Sequence, residues 1–133
     1  MDNNDIIGEA EKITVSNQGN MADSQFFLTI FNIYGGELDR ELKVLEKLAE
    51  RSAVQRQLGA CAVEMCFVAS GKVDFLINPI AKKVDYAAAK LVLKEADGKT
   101  RIRDSCFPDS YEVIVSNGKL QEEVQNIVSD TFQ

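Results

Sequence analysis

The feature that most constrains this chain is one continuous stretch from Gly59 to Lys99, GACAVEMCFVASGKVDFLINPIAKKVDYAAAKLVLKEADGK. Its first part, Ala60 to Ala69, is apolar almost all round with Glu64 as its one charge, a pattern that suits a buried helix better than a surface one. Ser70-Gly71 stops that helix, because glycine enters the left-handed C-terminal conformation without a Cβ clash. Asp74 to Ile77 carries Phe75 and Ile77 between Gly71 and Pro79, so it reads as a short buried strand that Asn78-Pro79 ends. From Tyr86 to Ala96 apolar residues recur at helical spacing. Asp85 stands just before them, where a side-chain oxygen can accept from the free N–H groups of a first turn, and Asp97-Gly98 closes the helix.

Outside this stretch, strands and helices alternate. Phe26 to Ile33 (FFLTIFNI) reads as a strand covered on both faces. Tyr34-Gly35-Gly36 then turns into an amphipathic helix from Glu37 to about Arg51, with Leu38, Leu42, Leu45, Leu48 and Ala49 on one stripe. Glu37 and Asp39 suit the positive end of that helix and argue against an anion in the Gly-Gly loop. Val54 to Leu58 and Glu112 to Ser116 read as further strands, and Leu120, Val124, Ile127 and Val128 mark a terminal helix. Ile13-Thr14-Val15 is a weak edge-strand signal after a polar start, about residues 1–12, that is expected to be mobile. The alternation predicts an α/β fold, a largely parallel mixed sheet flanked by helices, in a single domain over 1–133.

Composition narrows the chemistry. The 133 residues are 45% apolar and 27% charged, ordinary for a globular domain. A net charge of −6 argues against nucleic acid as a partner, since backbone binding is driven by clustered Lys and Arg. No apolar run approaches a membrane span and the acidic start is unlike a signal peptide, so no membrane partner and a cytoplasmic location are expected. Cys61, Cys66 and Cys106 form no Cys-x-x-Cys, which indicates neither a disulfide framework nor a zinc site. The chain has no histidine, which removes Cys-His and Ser-His-Asp machinery and the commonest transition-metal ligand together. Catalysis here would have to rest on carboxylates and a hard cation.

The segments AVEMCFVASGKVDF and VDYAAAKLVLKEADG, and more weakly YEVIVSNGKL, make the chain similar to the C-terminal part of the inositol monophosphatase family, which also contains archaeal fructose-1,6-bisphosphatases. The resemblance implies the C-terminal half of that family's αβαβα sandwich and a Mg²⁺-dependent hydrolysis of sugar or inositol phosphate monoesters. The Trp that usually precedes the family's aspartate is Val84 here, more in the manner of the archaeal branch. By resemblance Asp85 is a Mg²⁺ ligand, a role compatible with capping because a carboxylate has several lone pairs. Gly59, Ala60 and Cys61 would form a substrate-contacting turn at a helix N-terminus, close helix packing being the other reading. By resemblance Asn78 stands where many members place a glutamate that binds polyol hydroxyls, and the residues themselves favour a turn residue before proline. Lys82 and Lys83 would meet a second phosphate or remain solvated, and Arg56, at a basic family position, would touch substrate or an internal acid.

One aspartate cannot assemble the metal site. The family's further ligands, on an acidic pair and an Asp-Pro-x-Asp-Gly-Thr motif, have no counterpart here, and no catalytic residue is identified in the chain. The resemblance therefore implies a catalytic N-terminal half that is missing or carried separately, and a chain inactive alone. The alternative is a non-catalytic remnant acting as an interaction or oligomerisation module. A homo-oligomer is expected in either case, since uncovered apolar surface favours association.

Overall fold

Seven consecutive residues of low polarity, Phe75–Ala81, form a strand (β3) that is buried along its whole length. Such a strand must lie inside its sheet. The computed structural model, which describes residues 11–30, 38–51, 53–105 and 107–131, places it so. The other strands are β1 (Gln25–Leu28), β2 (Val54–Arg56), β4 (Lys99–Asp104) and β5 (Tyr111–Ser116), in the order β2-β1-β3-β5-β4. β1 is parallel to β2 and β3, whereas β5 is antiparallel to β3 and β4. Only β5 is reversed, so the sheet is mixed and mostly of one direction.

Alternation along the strands sends successive side chains to opposite faces. Phe27, Leu76, Val113 and Val115 meet helices α2 (Cys61–Ala69) and α3 (Lys83–Glu95). Phe26, Phe75, Ile77 and Ile114 meet α1 (Leu38–Glu50) and α4 (Gln121–Asp130). Phe26 and Phe75 are paired across β1 and β3 and stack with ring centroids 4.9 Å apart. No helix among the described residues is long and apolar enough to cross a membrane.

Several local expectations change. β3 does not stop at Asn78 but continues through Pro79, and its pairing with β5 shifts between Asn78 and Ala81. Proline offers no N–H to the ladder, and a local irregularity accommodates it. α1 buries Glu41, Val44 and Leu48, leaving Leu42 and Ala49 exposed, since Val44 and Leu48 are the side chains that pack with Leu28, Ile77 and Val128, while Arg40 in its first turn pairs with Glu112 on β5. Residues 13–15 form no strand, and the Val15 N–H is held instead by the Ala96 carbonyl at 3.1 Å. β4 adds an edge strand that the apolar runs do not signal, because KTRIRD interleaves its charges with only Thr100 and Ile102. The first strand ends at Leu28, short of the expected run, with Thr29 and Ile30 outside it, because the Thr29 N–H turns to the Ile77 carbonyl alone at the end of the ladder. Residues 1–10 of the expected mobile start over about 1–12, the expected strand residues 31–33, the Tyr34–Gly36 turn and Cys106 lie outside the described residues.

Two polar clusters fasten the layers. Asp74 accepts from Ser16 Oγ at 2.6 Å and from the Gln25 N–H at 2.8 Å, tying the segment before β1 to the start of β3. Glu112, 4% exposed, receives Arg40 from α1, Arg103 at 3.0 Å and Arg101 at 3.5 Å. Burial alone would raise the Glu112 pKa, but the hydrogen bonds from Arg40 and Arg103 outweigh it and hold the carboxyl below its ordinary 4.5. A depressed carboxylate pKa contributes stability above the unfolded value, and that contribution is lost as pH falls through the folded value. Glu112→Gln should therefore lower the denaturation midpoint at pH 7, and the gap from wild type should narrow as pH drops below 4.5 in urea titrations across pH.

Candidate functional site

The connections of the sheet create a crevice. From β1 the chain leaves toward β2 on one side, and from β3 it leaves toward β4 at the opposite edge, with α1 and α3 on opposite faces. Adjacent parallel strands whose connections diverge leave a gap beyond their C-terminal ends, where ligands of open α/β sheets bind. A cavity of about 150 Å³ sits there, lined by Thr29, Gly59, Ala60, Cys61, Glu64, Asn78, Ile80 and Asp85.

Each element supplies its residues for a local reason. Gly59 leads from β2 into α2 with φ +80, and a Cβ placed on it would meet nothing within 4 Å. Backbone conformation, not close packing, is what requires glycine there. Ala60 is the N-cap of α2 and has no side-chain acceptor, so no side chain caps the first-turn N–H groups and they face the cavity end of the helix. Asn78 is 4% exposed, and its Oδ1 accepts the Ile80 N–H at 3.0 Å across Pro79, so the side chain supports the irregular strand while facing the cavity.

Asp85 is not the N-cap. α3 begins at Lys83, two residues before the aspartate, and the Asp85 carboxylate reaches back to accept the Lys82 N–H at 3.0 Å. This is the returning half of a capping box, and it fixes the carboxylate at the cavity mouth. Lys82 sends its ammonium to Ser110 Oγ at 2.9 Å, Lys83 is exposed, and Arg56 donates to Gln25 Oε1 at 3.2 Å. These three bases do not line the cavity.

Two polar residues of the cavity were not singled out from sequence. Thr29 follows β1 and Glu64 sits in the first turn of α2, 2% and 0% exposed. The signal for Glu64 was present, as the single charge in an apolar helix. That helix is inverted in an unusual way: its glutamate faces inward while Ala62, Val63 and Cys66 face out. Burial raises the Glu64 pKa above its ordinary 4.5, partly offset by the Leu58 N–H 3.3 Å from Oε2. Burial also pushes the Cys61 thiol up to about 11, against the pull of a hydrogen bond with Asn78 and with help from Glu64 and Asp85. Cys61 is thus a thiol at neutral pH, not a nucleophilic thiolate.

Among the described residues no group of three His, Cys, Asp or Glu could hold a metal ion. Asp85 fits as one hard oxygen ligand for Mg²⁺, and this chain's described residues do not complete the set. In alkylation at pH 7.5 followed by peptide mapping, exposed Cys66 should label at least ~10-fold faster than Cys61, and the Cys61 rate should climb as pH approaches 10.

The chain has relatives. The model of the Inositol monophosphatase family matches residues 3–131. The fructose-1,6-bisphosphatase/inositol-1-monophosphatase of Thermotoga maritima is 28% identical over 101 residues, covering 74% of this chain and 40% of that protein. The protein of the same description from Methanocaldococcus jannaschii is 34% identical over 95 residues, covering 65% of this chain and 36% of that one. The structure of a Thermotoga maritima inositol monophosphatase superposes with a TM-score of 0.74 at 26% identity, covering 93% of this chain and 47% of that chain. The chain therefore spans less than half the length of these relatives. With its fold and nearly its whole length matched, the chain belongs to the inositol monophosphatase family.

Proposed function

We propose that this chain is the C-terminal half of a Mg²⁺-dependent phosphatase acting on sugar or inositol phosphates, inactive until a complementary half supplies the remaining metal ligands. The observation that carries this reading is the gathering of Asp85, the uncapped N-terminus of α2 and Asn78 around one cavity at the divergence of the sheet's connections. In this reading the first-turn N–H groups after Gly59 orient the phosphate, which carries the charge that a helix N-terminus favours. Asn78 Oδ1 already accepts the Ile80 N–H and the side chain also bonds Cys61, so one N–H of its amide nitrogen is left to donate to a ligand oxygen. Asp85, held by Lys82, offers a cation ligand at a fixed point. A bound Mg²⁺ supplies charge neutralisation at phosphate and a lower pKa for water. Cys61 stays protonated and contributes packing and a hydrogen bond rather than attack on phosphorus.

The complementary half has a surface to dock on. Val63 of α2 and Val84, Leu91 and Val92 of α3 are exposed, at 50%, 88%, 61% and 37%. The same two helices carry the cavity residues at their N-termini, so a partner covering their outer face would stand beside Asp85. Without that partner, the same face would drive self-association into a homo-oligomer. We place the protein in the cytoplasm, where free thiols such as Cys61 and Cys66 persist.

The test is Mg²⁺-dependent phosphate release from inositol monophosphate and fructose-1,6-bisphosphate, using this chain alone and co-expressed with the N-terminal half of the Thermotoga maritima relative. The chain alone should be inactive and the pair active. Asp85→Asn should cut the paired activity about 100-fold or more, the scale of losing one preorganised charge-stabilising contact. Leu91→Glu should prevent pairing. Activity of the lone chain would overturn the requirement for a second half, and inactivity of a stable pair would favour the interaction module.

A further inference from the structure

Two buried polar atoms in the cavity have no partner. Glu64 Oε2 is near the Leu58 N–H, but Oε1 accepts from nothing, and Thr29 Oγ1 neither donates nor accepts. The Thr29 N–H, by contrast, is satisfied by the Ile77 carbonyl at 3.1 Å, so the backbone donor is paired while the hydroxyl is orphaned. An unsatisfied buried polar group is destabilising, and the great majority of such groups in native proteins are paired. Valine at 29 and methionine at 64 would fill the same space without that cost. The two orphans come from separate elements, the end of β1 and the first turn of α2, yet line the same cavity.

The chemistry of the pair selects its occupant. A carboxylate oxygen wants a donor and a threonine hydroxyl can serve either way, so one group able both to donate and to accept would satisfy the two together. An alcohol does so. An ionised phosphate oxygen does not, because it brings no proton to donate to the Glu64 carboxylate. We propose that Glu64 and Thr29 form a hydroxyl-binding floor that reads the polyol part of the ligand, distinct from the phosphate position at the α2 N-terminus. This deepens and rests on the phosphatase reading, but the floor lies wholly within this chain, so the chain alone can be tested.

The experiment is amide chemical-shift titration of the full chain with myo-inositol, with D-fructose and, separately, with inorganic phosphate, for wild type, Thr29→Val, Thr29→Ser and Glu64→Gln. Thermal melts of each variant establish that it is folded. Wild type should bind at least one polyol, Thr29→Val and Glu64→Gln should weaken that binding about tenfold, the equivalent of one hydrogen bond, and Thr29→Ser should retain it. Phosphate binding should change less than about twofold in all of them, the phosphate position being separate. Polyol binding that is absent from wild type, or indifferent to Thr29→Val and Glu64→Gln, overturns the floor. Variant-sensitive polyol binding with no phosphate response upholds the floor and counts against the phosphatase reading instead.

Discussion

The burial of β3 on both faces is the constraint on which the rest depends. Because each of its residues is covered, the strand must sit between β1 and β5 with a helix layer on either side, and that fixes the three-layer architecture. Its proline then matters as much as its hydrophobicity. Pro79 interrupts the ladder with β5, and Asn78 bridges the interruption by accepting the Ile80 N–H. The strand therefore ends with its backbone redirected toward Lys82 and Asp85, and the same asparagine that repairs the strand lines the cavity.

The layer order was legible because burial writes itself into sequence as period. FFL in β1, FLI in β3 and VIV in β5 are apolar without interruption, as strands covered on both faces must be. β4 escaped because an edge strand has less to bury, and KTRIRD carries charges where an interior strand would carry valine. The rotation of α1 was hidden for a different reason. Its leucines form a stripe, but the face turned inward, with Val44 and Leu48 in the core and Arg40 paired to Glu112, is set by tertiary contacts that no local pattern records.

Of the cavity, the parts with local signatures were readable: Gly59 at a helix entrance, Asn78 before proline, and Asp85 opening a helix. Their convergence comes from the diverging connections of β1 and β3, which is a property of topology. Thr29 could not be read, since a threonine in a β-rich run is normally an ordinary strand residue. Arg56 and Lys82 show the converse. They share the sequence neighbourhood of the cavity, but Gln25 and Ser110 hold them in positions that do not line it.

The charges on β4 have a further consequence. Both margins of the sheet are poor templates for strand addition: β2 spans only Val54–Arg56, and β4 carries Lys99, Arg101, Arg103 and Asp104 along an outer border. The sheet cannot readily lengthen sideways by recruiting another chain's backbone. The exposed apolar residues lie instead on the lateral flank of two helices, which offers side chains and no open row of amides. A contact made there would rest on side-chain packing and could not extend the sheet.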